Sequence, residues 1–281
     1  MSIIRIIAAG FLVCLIVMTS CLGLNHPTTS QTAIDKTLSA ISQIKSYQLG
    51  TDFTDESGFT EWKGTKVIDV SNKEMAMNMT ITMGPSSPPI TVSDEMYFMG
   101  GVNYSEIISE ENSPQTVGWT KSALVNDVWD QQTQIPFLTE LLKTATKISS
   151  LETQQLNNVK CYVLTITPSA QASADFVLSQ GQPGGPAFYS PDIEGGWMIT
   201  GDLFSSGSIE LWISQNDYLP LKVETEFNFN SAKGNLPANT TVSQVINNYQ
   251  GELDFSDYNQ SVSIQVPQDA LNAPWQANTD N

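Results

Sequence analysis

The side chains that most often carry catalysis are scarce in this chain. His26 is its single histidine, so a serine–histidine triad or a histidine-rich metal site would have to be built on that residue. It lies in a polar stretch, residues 22–32. The cysteines are Cys14, Cys21 and Cys161. Cys14 sits in an apolar run. Cys161 has apolar alternating neighbours and reads as a small buried hydrophobe, since a reactive thiolate needs a cation or base held against it. Arg5 is the only arginine, and 12 Lys+Arg face 29 Asp+Glu for a net charge of −17. Without the bidentate guanidinium fork, and with few lysines, nucleic-acid binding is excluded and no polybasic membrane surface exists. Carboxylates are abundant, but pairs such as Asp94-Glu95 and Glu110-Glu111 read as solvated turns. Glycosidase chemistry needs two carboxylates set across a cleft, an arrangement that spacing along a sequence does not show. No calcium loop is present, and the glycine-rich stretch Gly181–Gly185 lacks the lysine of a phosphate-cradling loop. No catalytic residue, cofactor or metal is therefore expected, and the chain is not expected to be an enzyme.

The chemistry that the residues do offer is attachment. Residues 1–20 read as an export signal: Arg5, an apolar run from Ile6 to Met18 broken by Gly10, then the small residues Thr19 and Ser20 before Cys21. The run is short of the ~20 apolar residues that span a bilayer. Met18-Thr19-Ser20-Cys21 resembles the lipobox of prokaryotic lipoproteins. That resemblance implies cleavage before Cys21, lipid on Cys21, and anchoring to the outer face of the cytoplasmic membrane in the cell envelope. A secreted protein without lipid, or an uncleaved N-terminal anchor, would use the same residues. With Cys21 lipidated, Cys161 is left without a disulfide partner. Residues 21–32 then form a polar tether. Asn78, Asn103, Asn239 and Asn259 each open an N-x-Ser/Thr sequon, a possible glycosylation site in an exported chain.

The elements must come from periodicity. Hydrophobic residues make up 40% and charged residues 15% of the 281, enough for a sizeable core and too apolar for a disordered acidic chain. Residues 32–45 show helical spacing through Ile34, Leu38, Ile41 and Ile44, with Thr32 as N-cap. Strands are expected at 47–53, 59–70, 75–83, 90–92, 96–99 and in short pieces to Trp119. Helices are expected at 122–131, 137–148 and 169–179, with a strand at 160–167 before the last. Strands return at 208–214, 219–229, 240–255 and 262–266. In 75–83 the residues Met75, Met77, Met79, Ile81 and Met83 share one face, with Ala76, Asn78, Thr80 and Thr82 on the other. Leu221, Val223 and Phe227 do the same further on. These eight apolar residues are the candidates for lining a hydrophobic cavity. Methionine is soft enough to fit irregular alkyl cargo. A plain core beneath helices would carry the same pattern. The Gly/Pro-rich segment 180–208, with Phe188, Tyr189 and Trp197, is an insertion that either serves function or varies at the surface.

Helices between the strands of an antiparallel sheet make an α+β arrangement, in a single domain over 33–281. The order of lipobox, helix, strand meander, mid-chain helices and strand pairs resembles the LolA-like lipoprotein carriers, including the LppX and LprG group. The sharpest match is Glu210-Leu211-Trp212-Ile213-Ser214-Gln215-Asn216-Asp217-Tyr218-Leu219-Pro220-Leu221-Lys222-Val223, which looks like that family's W-I-x-hairpin-L-P-x-K motif. Lys160–Leu164 and the stretch from Phe255 to Pro267 are weaker echoes. The resemblance implies an antiparallel half-barrel with helices on its concave side, an apolar cavity for a lipid or acyl chain, and no catalysis. A sensor or protein-interaction module of the same fold, contacting a protein partner through 180–208, is the alternative function.

Overall fold

Tight turns set the strand pairing. Gly100 and Gly101 have φ of 59° and 77°, and Asn157 and Asn158 have φ of 49° and 68°. Two consecutive left-handed residues make the two-residue hairpin turn whose twist matches that of the strands. The first closes the pair Met99–Val102, the second Leu156–Val159. The computed structural model describes residues 29–55, 60–83, 90–109, 117–124, 126–180, 204–229 and 248–276. The export signal, Cys21, most of the tether, Asn239 and residues 181–203 of the insertion lie outside them.

The strands are β1 (Ser46–Asp55), β2 (Thr60–Asp69), β3 (Glu74–Met83), β4 (Ile90–Met99), β5 (Val102–Ser109), β6 (Val117–Ala123), β7 (Lys147–Leu156), β8 (Val159–Thr167), β9 (Phe204–Ser214), β10 (Pro220–Phe229) and β11 (Asn248–Ser256). The helices are α1 (Ser30–Ile41), α2 (Asn126–Thr133), α3 (Ile135–Lys143), α4 (Ala170–Gln180) and the short α5 (Gln268–Leu271). Among the described residues, one open antiparallel sheet of 11 strands runs in the order β6-β5-β4-β3-β2-β1-β11-β10-β9-β8-β7. The chain thus builds two meanders, and β11 returns to join them through β1. This is the α+β half-barrel architecture expected from the sequence.

Alternation gives the sheet one apolar face, here called the inner face. Tyr47, Leu49 and Phe53 on β1, Ile209, Leu211 and Ile213 on β9, and Leu253 and Phe255 on β11 are all buried there, in one core with Ile34, Leu138, Leu141 and Phe176 from the helices. Each such Leu, Ile or Phe withdrawn from water contributes about 1.5–3 kcal/mol before the entropy of ordering is deducted. Helix α1 buries Ala33, Ile34, Thr37 and Ile41. Its N-cap is Thr29, whose hydroxyl accepts from the Thr32 amide at 3.2 Å, so the helix begins a turn earlier than Thr32. It ends at Ile41 rather than Lys45. The edge strand β6 is covered by the C-terminal segment: the Lys121 amide donates to Pro274 O at 3.1 Å and the Gln276 amide to Lys121 O at 2.8 Å. Covering removes an edge that would otherwise template aggregation.

Several boundaries differ from expectation. Residues 121–123 continue β6, and α2 starts only at Asn126. The expected helix 137–148 stops at Lys143, after which β7 forms. Residues 90–99 are one strand, not two. Residues 262–266 form no strand.

Glycines on the inner face make room for rings. A Cβ on Gly251 would stand 1.8 Å from Cδ1 of Phe53, whose ring stacks on Tyr249 at 5.5 Å. The ring is buried and cannot swing into solvent, so Gly251→Ala is expected to cost about 1–3 kcal/mol through overpacking. Phe53→Leu in the same chain should recover part of that loss. Urea denaturation of the double-mutant cycle checks this, and strictly additive losses would contradict it.

Candidate functional site

The methionine strand lies at the centre of one half of the inner face. Met75, Met77, Met79 and Ile81 are 0%, 1%, 6% and 2% exposed, while Asn78 and Thr80 face water. The Met83 side chain lies outside the described positions. Successive ladder rows read Ile68–Met75–Phe98, Lys66–Met77–Met96, Gly64–Met79–Asp94 and Trp62–Ile81–Val92. On the other half, Val223 stands between Leu211 and Leu253, and Phe227 between Gly207 and Tyr249. Both side chains are fully buried. Leu221 does not join them. The register shifts between Pro220 and Lys222, and this bulge turns Leu221 against Cys161, Val163 and Trp212, a small cluster separate from the main core. A bulge re-aims a side chain in this way. Cys161 is fully buried there, and burial pushes its thiol pKa up, as befits an inert hydrophobe.

Helices cover the inner face. Trp129 of α2 meets Phe98, ring centroids 6.3 Å apart, and Phe176 of α4 meets Phe227 edge-on at 5.9 Å. The end of α2 is held from below by two buried donors. Lys66 Nζ donates to Gln132 O at 3.0 Å and to Gln132 Oε1 at 2.8 Å, and the Tyr47 hydroxyl donates to Thr133 O. The last carbonyls of a helix have no partner within it, and these two side chains supply one. Gln134 then takes φ 63° and Pro136 opens α3, so α2 and α3 are separate rods joined at that residue. Lys66 is 3% exposed. Burial lowers its pKa to about 7, while the two carbonyl acceptors favour the ammonium form and oppose that shift.

Asp94 is the second buried charge of this face. It is not the solvated turn residue that the Asp94-Glu95 pair implied: it lies in the middle of β4 and is 6% exposed. Its Oδ1 is buried with no hydrogen-bond partner among the described residues. Burial raises its pKa to about 6.

The opposite face is polar. Two shallow hollows lie on it. One, of about 450 Å³, is bordered by Glu210, Glu224, Glu226 and Glu252 among others. The second, of about 500 Å³, is bordered by Asp52, Lys63, Asn78 and Glu95 among others and lies over the row Thr51–Gly64–Met79–Asp94. Lys222 is shared between Glu224 at 2.7 Å and Glu252 at 2.8 Å. Among the described residues no cluster of metal-ligating side chains occurs, and no helix is long and apolar enough to cross a membrane. Of the sequons, Asn78 is exposed on this face. Asn103 is half-buried, its Oδ1 enclosed. The Asn259 side chain accepts from the Lys45 amide at 2.7 Å and so fixes a turn.

No family model matches the sequence, and no curated protein does. Solved structures do match. The crystal structure of LprF from Mycobacterium bovis aligns over 86% of this chain and 98% of its own, with a TM-score of 0.50 and 9% identity. The crystal structure of the Mycobacterium tuberculosis lipoprotein LppX aligns over 84% of this chain and 97% of its own, with a TM-score of 0.39 and 13% identity. At this level of identity the likeness to LprF is one of fold.

Proposed function

We propose that this chain is an exported lipoprotein, anchored through a lipid on Cys21 to the outer face of the cytoplasmic membrane, whose half-barrel takes up a hydrophobic ligand on its inner face. The observation that carries the reading is the methionine row Met75–Met77–Met79 on an apolar sheet face that, among the described residues, is covered by short helices. An inner face of unbranched, polarisable side chains repacks around an alkyl chain with less strain than one of β-branched residues. Helices α2 and α3, jointed at Gln134, form a cover of separate short rods that can part from the sheet without unfolding it. The half-barrel fold shared with LprF and the lipobox-like tetrad at Cys21 support the same reading. No catalytic step is assigned.

Uptake of a fluorescent fatty acid by the delipidated full-length chain tests it. Saturable uptake, competed by unlabelled fatty acid, is expected; uptake that rises linearly with probe and resists competition would refute it. The anchor is tested separately. Cys21→Ser should move the protein from the membrane fraction to the soluble fraction, or leave it unprocessed at its higher mass. A variant that stays membrane-bound with the processed mass of the wild type would rule out Cys21 as the attachment point.

A further inference from the structure

The polar atoms of the inner face are not treated alike. Lys66 spends its ammonium on Gln132 O and Oε1. Thr51 Oγ1 donates to Gly64 O at 3.4 Å. Asp94 stands in the same ladder row as Thr51 and Gly64, with Met79 beside it on β3 and Ile107 on β5. Met96 follows it on the same face of β4. Its Oδ1 is enclosed and without a partner among the described residues. A buried carboxylate oxygen without a donor is a standing cost, and replacing the residue by an apolar one of similar size would ordinarily improve the fold.

We infer that Asp94 is the polar anchor of the ligand site: it accepts a hydrogen bond from a hydroxyl or protonated amine on an otherwise apolar, chain-bearing ligand. This rests on the inner face being the ligand-binding face, and deepens that reading from "apolar" to "amphiphile with a hydrogen-bond donor". Met77, Met79 and Met96 would carry the alkyl part, and Asp94 would fix how far the chain enters. A charge-assisted hydrogen bond inside an apolar site is stronger than one in water, because no solvent competes for it. The carboxyl pKa of about 6 leaves Asp94 mostly ionised at neutral pH and so able to take either donor. A bound donor would draw that pKa back down.

The test uses the delipidated full-length chain and three probes of equal chain length: a monoacylglycerol (hydroxyl donors), an alkylamine (ammonium donor) and a fatty acid methyl ester (no donor). The wild type should bind the first two about tenfold or more tighter than the ester, the ratio that one charge-assisted hydrogen bond commands. Asp94→Leu should bind the ester at least as well as the wild type and lose the preference. Asp94→Asn, which keeps an acceptor but no charge, should retain part of the preference for the hydroxyl probe and lose that for the amine. Melting of the unliganded variants checks folding, and neither should melt below the wild type. Equal affinities of the wild type for all three probes would overturn the inference alone, as would an undiminished preference in Asp94→Leu. Failure of the wild type to bind any of them would overturn the inference together with the ligand-binding reading beneath it.

Discussion

Met79→Asp is expected to be far more damaging than Met77→Asp, although the two methionines share a strand, a face and near-complete burial. The difference lies in what stands opposite. Met77 pairs with Lys66 across β2, and directly opposed Cβ atoms in an antiparallel ladder lie about 4.5–5.5 Å apart. A carboxylate at 77 would therefore be placed beside a buried ammonium, and the two would repay part of each other's desolvation. Met79 pairs with Asp94 on β4 and with Gly64 on β2. A carboxylate at 79 would face a like charge whose Oδ1 already lacks a partner among the described residues. Burying it uncompensated should cost about 3–5 kcal/mol, a large share of the stability of an ordinary domain. Met77→Asp should cost at least about 1–2 kcal/mol less. Urea denaturation at pH 7 measures both. Equal losses would mean that the rows do not place Lys66 and Asp94 as described. A Met77→Asp protein that folds yet fails to take up fatty acid would add direct support for a ligand on this face.

Lys66→Ala carries the second large effect. The substitution strips the buried stem of Lys66 and leaves Gln132 O and Oε1 without their donor, together worth about 3–4 kcal/mol at pH 7. Lys66→Met keeps the stem and should lose less. The pH dependence separates the charge from the packing. The folded-state pKa of Lys66, about 7, lies below its unfolded value near 10.5. Between those values the unfolded chain holds a proton that the folded chain has released, so stability from this group rises with pH through that window. Below pH 7 the buried charge is a full penalty, offset by its two acceptors. Denaturation midpoints at pH 6 and pH 9 should differ more for the wild type than for Lys66→Met. An identical pH response in the two would show that Lys66 is not the buried titrating group.

The sequence disclosed most where side chains alternate over a full strand. Met75–Met83 is legible because every second residue is apolar and the intervening ones are small or polar, a pattern that no helix produces. Strand β7 was not legible. Residues Glu152–Gln155 are exposed, because β7 is the sheet edge, and a register shift between Ile148 and Ser150 breaks the period. Ile148 consequently reads as the last residue of a helix. The turn Asn157-Asn158 was the available signal for that hairpin. Leu221 followed the alternation of Val223 and Phe227 but sits at a bulge, and bulges reset the count without marking the sequence.

The two buried charges were hidden for a related reason. Lys66 occupies the apolar parity of β2 with Trp62 and Ile68, and Asp94 that of β4 with Met96 and Phe98. A charge on the apolar parity of a strand is the signal that could have found them. Asp94 lost it to its neighbour Glu95, which made the pair look like a turn. The expected fold class, by contrast, needed only the order of elements and one apolar face, and both survive errors of several residues at each boundary.

Native mass spectrometry of the full-length chain, recovered from its own membrane in mild detergent, tests the central claim most directly. Non-covalent adducts with the masses of acyl-chain molecules are expected, present in the wild type and depleted in Met79→Asp or Asp94→Leu protein that remains folded. Repeated recovery of the polypeptide carrying nothing beyond its covalent lipid, with no saturable uptake of added fatty acid, would contradict it.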